Sequence, residues 1–366
     1  MGRLRAGILG ATGAVGQTFV RLLADHPLFE ITALVASSRS AGKPYREAAN
    51  WISGTPIPER VASMTVQSVD DEADCDVVFS GLDASVAGEV EAQFAQRGVP
   101  VVSNARNYRL DPTVPLLIPE VNPDHIELID RQAWAGQDGE SSGGYIVTNP
   151  NCSTVGLATA LKPLDDAFGI EAVHVVTMQA LSGAGYPGVS SLDILGNVVP
   201  HIGGEEEKMA VETRKLLGTL SDAGVTDAEI VVSAQCHRVP VLDGHMEAVS
   251  IRFRQPASAS AVAATLRDWR PSITDLDLPT LPTRTLEVRA DETFPQPRRH
   301  AGLGNGMTVS VGRIQPCLAI APEGFGVKLV ILSHNTVRGA AGGAILNAEL
   351  LHAHGRLPAR TAEEAA

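Results

Sequence analysis

The chain has 366 residues, which is enough for two domains of about 150 residues each. Its 44% hydrophobic and 19% charged residues are typical of a folded globular protein and exclude the disordered, collagen-like and coiled-coil classes. The net charge of −13 argues against nucleic acid as a partner, because binding a phosphate backbone needs a clustered basic face. The composition therefore predicts a folded, soluble protein.

The cysteines and the N-terminus point to a reducing compartment. The four cysteines stand at positions 75, 152, 236 and 317, without the CxxC or short spacings of disulfide frameworks and metal sites. No run of about 18 apolar residues is present, and the apolar run after Arg3 and Arg5 stops at Gly10 and Thr12 without a cleavage site. We therefore predict a cytoplasmic protein with no bound metal and no membrane span.

Short apolar runs alternate with helical patterns in the first half of the chain. This alternation predicts an α/β fold with a doubly wound parallel sheet of the Rossmann type. The predicted strands are 4–9, 31–36, 77–80, 99–103 and 145–148. The predicted helices are 15–23, 85–96 and one that begins at Pro123.

Beyond residue 150 the strands become longer and the helices fewer. The predicted strands are 173–179, 229–234, 247–253, 307–311 and 327–333. The predicted helices are 153–164, 205–217, which Gly218 stops, and 259–269. This pattern predicts a C-terminal α+β catalytic and dimerisation domain, with a mixed or antiparallel sheet covered by helices on one face.

We predict the following division of the chain. Residues 1–150 form a nucleotide-binding domain, completed by a last helix at 336–355 that is rich in Ala and Leu. Residues 151–335 form the catalytic and oligomerisation domain. The segment 137–144 (QDGESSGG) is expected to be a flexible loop, and 356–366 a loose tail.

A glycine-rich turn follows the first predicted strand. In GATGAVG at 10–16, the glycines allow a sharp turn and close approach of a pyrophosphate, and the next helix offers free N–H donors. The second strand ends in Ser37, Ser38, Arg39 and Ser40, with Lys43 close behind, where an NAD enzyme would carry a carboxylate. Hydroxyls and a guanidinium suit a 2′-phosphate, so the sequence favours NADP over NAD.

Cys152 lies where a predicted strand gives way to a helix. The first turn of a helix offers free N–H groups and a positive dipole end, which favour thiolate over thiol. The neighbours in NPNCST are polar and turn-forming, as an activated nucleophile requires. We expect Cys75 and Cys317 to be small buried hydrophobic residues, whereas Cys236 is ambiguous because it adjoins the next motif.

The next motif, at 237–245, supplies a base and a cation that can bind a carboxylate. Thiol chemistry on a carbonyl needs a group that takes the first proton, and histidine is the usual choice. His237 and His245 flank the motif, and His245 follows Asp243 and a glycine at the start of a predicted strand. Arg238 offers a bidentate fork for a carboxylate.

Four separated motifs resemble those of aspartate-semialdehyde dehydrogenases, in particular the archaeal and fungal type. They are NPNCST at 149–154, QALSGAGYPG at 179–188, GGEEEK at 203–208 and RVPVLDGH at 238–245. The resemblance covers nearly the whole chain and includes SNARNYR at 103–109 and SHNTVRGAAGGA at 333–344. It implies NADP-dependent interconversion of L-aspartate 4-semialdehyde plus phosphate and 4-phospho-L-aspartate, on the route to lysine, threonine, methionine and isoleucine. It also suggests a homodimer or homotetramer.

Matching the motifs assigns the chemistry. The resemblance implies that Cys152 is the nucleophile, that His245 is the general acid and base, and that Gln179 orients the thiol and thioester. Arg238 is expected to hold the substrate α-carboxylate, and Glu205 to contact the amine.

Further residues are expected to bind the two anionic ligands, phosphate and NADP. Lys208 and Arg109, with Asn104 beside them, are expected to bind phosphate. The expected NADP contacts lie in the glycine turn, at strand ends and in the two later motifs: Gly10, Thr12, Gly13, Ala14, Val15, Ser37, Ser38, Arg39, Ser40, Ser80, Gly81, Ser182, Gly183 and Asn335.

Three other functions remain open at this point. Another acyl reductase on the same scaffold, such as malonyl-CoA reductase or N-acetyl-glutamyl-phosphate reductase, would keep the cysteine, the histidine and the nucleotide turn. A CoA substrate calls for a further nucleotide pocket that the sequence does not reveal. A cysteine–histidine hydrolase would leave GATGAVG unexplained, and a nucleotide-sensing protein without chemistry would leave Cys152 merely packed.

Overall fold

The computed structural model describes residues 2–134, 142–321 and 324–357. Its first sheet is wholly parallel, with the strand order β2-β1-β3-β4-β5. The strands are β1 (Leu4–Leu9), β2 (Phe29–Val35), β3 (Val77–Ser80), β4 (Val101–Ser103) and β5 (Ile146–Thr148). The accompanying helices are α1 (Ala14–Leu23), α2 (Tyr45–Ala48), α3 (Glu59–Ala62), α4 (Ala84–Gln96) and a 3₁₀ helix at Pro123–Arg131.

The second sheet is mixed, with the order β11-β12-β13-β10-β6-β9, in which β6–β9 and β11–β12 are parallel pairs. Its strands, with the hairpin β7–β8, are β6 (Ile170–Gln179), β7 (Thr219–Ser221), β8 (Gly224–Thr226), β9 (Val231–Arg238), β10 (His245–Phe253), β11 (Leu286–Val288), β12 (Val309–Pro316) and β13 (Gly326–Ser333). The helices are α5 (Cys152–Phe168), α6 (Ser191–Ile194), α7 (Glu205–Leu216), α8 (Ala259–Asp268), α9 (Pro297–His300) and α10 (Gly342–Ala353). Two 3₁₀ turns lie at Leu181–Ala184 and Leu303–Gly306.

Alternation along the strands of the first sheet sends side chains to two separate cores. Ile8 of β1 and Phe79 of β3 pack with α1 and α10 on one face. Leu9 and Val78 pack with Phe94 of α4 on the other. The predicted doubly wound sheet is therefore confirmed, and α10 belongs to the core of this sheet.

Among the described residues, helices cover the second sheet on one face only. Leu157 and Leu161 of α5 and Leu266 of α8 pack on inward-facing side chains of β6, β10 and β13. His174 and Lys328 are exposed on the opposite face. The prediction of a mixed sheet with helices on one face is confirmed.

Several boundaries differ from the predicted ones for local reasons. Strand β4 begins at Val101 rather than at residue 99, because Pro100 has no N–H to donate to the ladder. Strand β9 continues to Arg238 and so carries that side chain to the sheet edge. The short strands β7, β8 and β11 were not predicted, because three-residue strands are too short for an apolar pattern.

The last predicted helix begins as a π-turn. At Val337–Ala341 the N–H of Gly339 donates to the carbonyl of His334 (3.0 Å) and that of Ala341 to Thr336 (3.2 Å), five residues back in each case. The wider turn brings Gly339 so close to α5 that a Cβ there would lie 2.8 Å from Cys152 Cβ.

Two peripheral predictions fall partly outside the described residues. Of the predicted flexible loop 137–144, residues 137–141 lie outside, whereas Ser142 Oγ donates to the Ala95 carbonyl (2.6 Å). Of the predicted loose tail, residues 358–366 lie outside. Its first two residues are anchored, because Arg356 pairs with Asp130 and Leu357 is buried. Within the described ranges no helix is long and apolar enough to span a membrane.

A buried ion pair joins the π-turn to the loop between β4 and the 3₁₀ helix at Pro123–Arg131. Arg338 Nη1 lies 2.6 Å from Glu120 Oε1, and both side chains are almost fully buried. Arg338 Nη2 also donates to Thr159 Oγ1 of α5 (3.2 Å). Removing one member of such a pair leaves an uncompensated buried charge.

We therefore expect Arg338→Met to lower the free energy of unfolding by about 3–5 kcal/mol in urea titrations. The matched control is Lys162→Met, which removes an ion pair to Asp166 on the surface of α5 and should cost less than about 1 kcal/mol. Equal losses in the two variants would contradict a structural role for the buried pair.

Candidate active site

The nucleophile position is built by a short turn between β5 and α5. Asn151 precedes Cys152 and caps α5, since its Oδ1 accepts hydrogen bonds from the Ser153 N–H (3.0 Å) and hydroxyl (2.6 Å). Cys152 is the first residue of α5 and is partly exposed. The predicted position of this cysteine on the first turn of a helix is thus observed.

Cys152 faces a histidine from the second sheet. Its Sγ lies 3.3 Å from Nε2 of His245, the first residue of β10. The N–H of Ala180 donates to His245 Nδ1 (3.0 Å) and holds the ring with Nε2 toward the sulfur. A Cβ on Gly183 would lie 2.8 Å from His245 Cε1 and 2.8 Å from Arg238 Nη1, so only glycine fits against these two groups.

Burial sets the protonation of this pair. Burial, with a smaller contribution from Glu205, raises the pKa of Cys152 to about 12 against the opposing effects of Arg238 and Arg109. Burial, followed by Arg238 and His334, lowers the pKa of His245 to about 3. Both shifts favour a thiol beside a neutral imidazole at rest, so burial opposes the thiolate that the helix N-terminus favours.

The other cysteines occupy different surroundings. Cys236 and Cys317 are buried and Cys75 is partly buried. Burial raises the pKa of Cys75 and of Cys236 to about 12 each. Of the cysteine thiols, that of Cys152 is the one hydrogen-bonded to an imidazole within the described ranges.

Helix α7 presents a first carboxylate to the turn before Cys152. Glu205 Oε1 accepts from Lys208 Nζ (2.9 Å) and from Asn151 Nδ2 (3.0 Å). Its Oε2 lies 3.5 Å from Gln179 Nε2, at the end of β6. The structure therefore brings Glu205, Lys208 and Gln179 together, although the hydrogen bond of Gln179 is to Glu205 rather than to the thiol.

A second carboxylate of α7 holds Arg109. Arg109 Nη1 lies 2.9 Å from Glu212 Oε1, and Nη2 donates to the Asn104 carbonyl (2.7 Å). Glu212 Oε2 accepts from the backbone N–H of Asn151 (2.6 Å). Sequence reasoning missed Glu212. Its spacing of seven residues from Glu205 places both on one helix face, but the sequence does not say what that face contacts.

Arg238 lies at the end of β9, beside the end of β6. Its register partner is Gln179, and its Nη1 donates to the Ala180 carbonyl (2.8 Å). The side chain is buried, and burial lowers its pKa. A buried guanidinium so close to Cys152 is suited to an anionic group on the substrate.

Two predicted ligand residues are occupied by contacts within the protein. Asn104 Nδ2 donates to the Ser80 carbonyl (2.9 Å), and its Oδ1 accepts from Asn149 (2.9 Å). Asn335 Nδ2 donates to Ser182 Oγ (2.8 Å), and its Oδ1 accepts from the Gly244 N–H (2.9 Å). Asn335 thus joins the 3₁₀ turn to the residue before His245.

The glycine turn after β1 fits a dinucleotide. Gly10 has a φ of 74°, and a Cβ there would lie 2.8 Å from the Gly81 carbonyl oxygen, so the turns after β1 and β3 touch. Helix α1 then starts with no side-chain cap and no acidic residue in its first turn, which leaves its N–H groups for an anion.

A cleft of about 540 Å³ lies between α1 and the turns after β6 and β13. Ala14, Ser182 and Thr336 are among its lining residues. The predicted 2′-phosphate residues lie in the turn after β2, where Ser37, Ser38 and Arg39 are exposed and Ser40 is half-buried. Arg39 makes no ion pair to any residue in the described ranges. The donors on this edge of the sheet therefore suit a dinucleotide with an extra phosphate.

A Rossmann-type sheet joined to a cysteine–histidine pair defines the class: nicotinamide nucleotide-dependent dehydrogenases that act through a cysteine. Two family models match, the semialdehyde dehydrogenase NAD binding domain at residues 5–129 and the semialdehyde dehydrogenase dimerisation domain at 161–338. An aspartate-semialdehyde dehydrogenase of Methanothermobacter thermautotrophicus is 49% identical over 352 residues, covering 95% of this chain and 99% of the relative.

Similar solved structures belong to the same family as this relative. Aspartate semialdehyde dehydrogenase with NADP from Candida albicans is 46% identical with a TM-score of 0.87, covering 97% of this chain and 99% of that one. Aspartate semialdehyde dehydrogenase II complexed with ASA from Vibrio cholerae is 30% identical with a TM-score of 0.76, covering 96% and 99%. The chain belongs to the aspartate-semialdehyde dehydrogenase family, and the resemblance stated from its motifs is confirmed.

The negative charge of Glu205 opposes ionisation of Cys152, so its removal should make the thiol more reactive. We expect Glu205→Gln to lower the thiol pKa, and thiolate at a fixed pH rises roughly tenfold for each unit by which the pKa falls. The measurement is the rate of iodoacetamide alkylation at Cys152 from pH 7 to 10, located by peptide mass spectrometry.

The matched control for this experiment is Glu207→Gln, on the exposed side of the same helix. It should leave the alkylation profile unchanged. Slower alkylation in Glu205→Gln than in the wild-type protein would contradict the electrostatic assignment.

Proposed function

We propose that the protein interconverts L-aspartate 4-semialdehyde plus phosphate and 4-phospho-L-aspartate with NADP, in the biosynthesis of lysine, threonine, methionine and isoleucine. The observation that carries this proposal is the 3.3 Å contact between Cys152 Sγ and His245 Nε2, with cationic side chains nearby. The family and the solved relative with NADP support it. We take residues 1–150 with the last helix as the nucleotide unit and 151–335 as the catalytic unit.

NADP is expected in the cleft beside the glycine turn. Residues 10–15 and Gly81 would hold the pyrophosphate, Ser37 to Ser40 the 2′-phosphate, and Ser182, Gly183 and Asn335 the nicotinamide end. When bound, NADP accepts the hydride from the substrate carbon, or NADPH donates it. The chain's own contribution is to place the sulfur, to move protons and to hold the two anionic ends of the substrate.

Acyl transfer takes place at Cys152. In the biosynthetic direction, the sulfur attacks the acyl carbon of 4-phospho-L-aspartate, the bond from that carbon to the phosphate oxygen breaks, and a thioester forms. The thiol proton leaves by way of His245 and departs with the inorganic phosphate. After reduction, the carbon–sulfur bond breaks, the aldehyde is released, and a proton from solvent, delivered through His245, restores the thiol of Cys152.

His245 is suited to brief proton transfer. To accept a proton on Nε2, the neutral ring must carry its own hydrogen on Nδ1 and give up the hydrogen bond from Ala180. Burial already disfavours the charged ring. A proton taken from the sulfur is therefore passed on readily, which suits a general acid and base that works twice in each turnover.

The substrate has anionic groups at both ends, and each needs a cation. Arg238 supports binding of the α-carboxylate, because its buried guanidinium lies near the sulfur and donates to the Ala180 carbonyl with one nitrogen. Arg109 and Lys208 support binding of phosphate, with Glu205 near the substrate amine. We retain Gln179 as the residue that orients the acyl group, because it ends β6 next to Arg238.

We further infer that the protein is a cytoplasmic homodimer or homotetramer. The open face of the second sheet supports this inference, as does the match to a dimerisation domain over 161–338. A second copy on that face would bury the apolar parts of Val176, Ala248 and Val330, which line a shallow depression there.

The nucleophile is tested by Cys152→Ala. We expect this variant to lose phosphate-dependent reduction of NADP by the semialdehyde by at least about a thousandfold, because no other group can form the thioester. NADPH binding, followed by fluorescence, should stay nearly unchanged. The control is Cys75→Ala, which should keep its activity. Retention of most activity by Cys152→Ala would refute the mechanism.

Binding of the substrate α-carboxylate by Arg238 is tested by Arg238→Leu. We expect kcat/KM for the semialdehyde to fall by about two powers of ten, because a charge-assisted bidentate contact is lost from a desolvated site. Arg267→Leu, at an exposed position of α8, should leave kcat/KM unchanged. A loss below threefold in Arg238→Leu would assign the carboxylate to another cation.

A further inference from the structure

We propose that Glu212 is a positioning residue that aligns the phosphate-binding arginine and the nucleophile helix through one carboxylate. This inference rests on the proposed function, in which Arg109 binds phosphate. Neither the sequence motifs nor the proposed mechanism assigns a role to Glu212.

The two oxygens of Glu212 reach two different parts of the site. Oε1 lies 2.9 Å from Arg109 Nη1, and Oε2 accepts the backbone N–H of Asn151 at 2.6 Å. Asn151 is the N-cap of α5 and the residue before Cys152. Glu212 is only 2% exposed, so water does not compete for either hydrogen bond. One side chain therefore relates the arginine to the sulfur.

One nitrogen of Arg109 has no hydrogen-bond partner among the described residues. Nη1 is taken by Glu212 and Nη2 by the Asn104 carbonyl, whereas Nε is buried and has no partner among the described residues. A buried guanidinium N–H without an acceptor is costly, and an anion would satisfy it. By binding Nη1, Glu212 fixes the orientation of the guanidinium, and this orientation sets the direction of the unpaired Nε–H group.

Lys215 holds the backbone of the loop that carries Arg109. Lys215 Nζ donates to the carbonyls of Arg109 (2.8 Å), Asp111 (2.8 Å) and Val114 (3.0 Å). Lys215 lies three residues after Glu212 on α7. Loss of the Glu212 carboxylate should therefore leave the loop in place and change only the aim of the guanidinium and the tie to Asn151.

A carboxylate next to a phosphate site repels the phosphate. Any benefit from Glu212 must then come from geometry, and it should appear in the reaction with phosphate rather than in the binding of the semialdehyde. A residue that merely stabilises the fold would instead lower the melting temperature and reduce the amount of active enzyme, with both substrates affected alike.

The experiment compares Glu212→Gln and Glu212→Asp with the wild type and with Glu207→Gln, an exposed position of the same helix. Initial rates of NADP reduction are measured at varied phosphate and at varied semialdehyde, together with melting temperatures. Glutamine keeps the size of the side chain but loses the charge and one of the two acceptors. Aspartate keeps both acceptors on a shorter side chain.

We expect kcat/KM for phosphate to fall at least tenfold in Glu212→Gln and to recover partly in Glu212→Asp. KM for the semialdehyde should stay within threefold, and Glu207→Gln should behave as the wild type. If kcat/KM for phosphate changes by less than threefold, or if KM for the semialdehyde rises as much as KM for phosphate, the proposal is overturned. Should the glutamine variant fail to fold, the aspartate variant decides by the same criteria, with a threefold or larger fall for phosphate alone as support.

The activity of the wild-type protein distinguishes a failure of this proposal from a failure of the proposed function. A wild-type protein that does not reduce NADP with the semialdehyde and phosphate refutes the function itself. An active wild type with an unaffected Glu212→Gln variant refutes only the positioning role.

Discussion

The structure of the site depends on how the first turn of α5 is held. Asn151 caps this turn with its side-chain oxygen, donates its amide N–H to Glu205, and donates its backbone N–H to Glu212. The hydrogen bonds to Glu205 and Glu212 connect the end of the first sheet to helix α7 in the second half of the chain. The sulfur of Cys152, one residue later, is therefore positioned by both halves of the molecule.

Charge balance in a dry interior determines the resting state of the site. Each buried carboxylate of α7 is paired with a cation, Glu205 with Lys208 and Glu212 with Arg109. Paired in this way, the ions offset part of the cost of leaving water. The same burial raises the pKa of Cys152 and lowers that of His245, which favours a neutral pair at rest. In the proposed mechanism, deprotonation of the sulfur is then coupled to its attack.

At two glycines the backbone packs directly against the side chains of the site. Gly183 lies against both Arg238 and His245, and Gly339 of the π-turn lies against Cys152. A methyl group at either position would displace a reacting side chain. The π-turn is itself held by the buried Arg338–Glu120 pair, so a structural ion pair on the far side of the turn supports the placement of the sulfur.

The sequence alone predicted the elements and named Cys152 and His245 as the candidate reacting groups. Periodicity predicted both sheets, the glycine turn predicted a nucleotide edge, and NPNCST placed Cys152 at a helix start, because these are local patterns within a few residues. The contacts of Glu212 and the raised pKa of Cys152 arise only in the tertiary structure. A hydrogen bond to Asn151 across 61 residues, and desolvation by several packed elements, leave no mark on local sequence, since both depend on which surfaces the folded chain brings together.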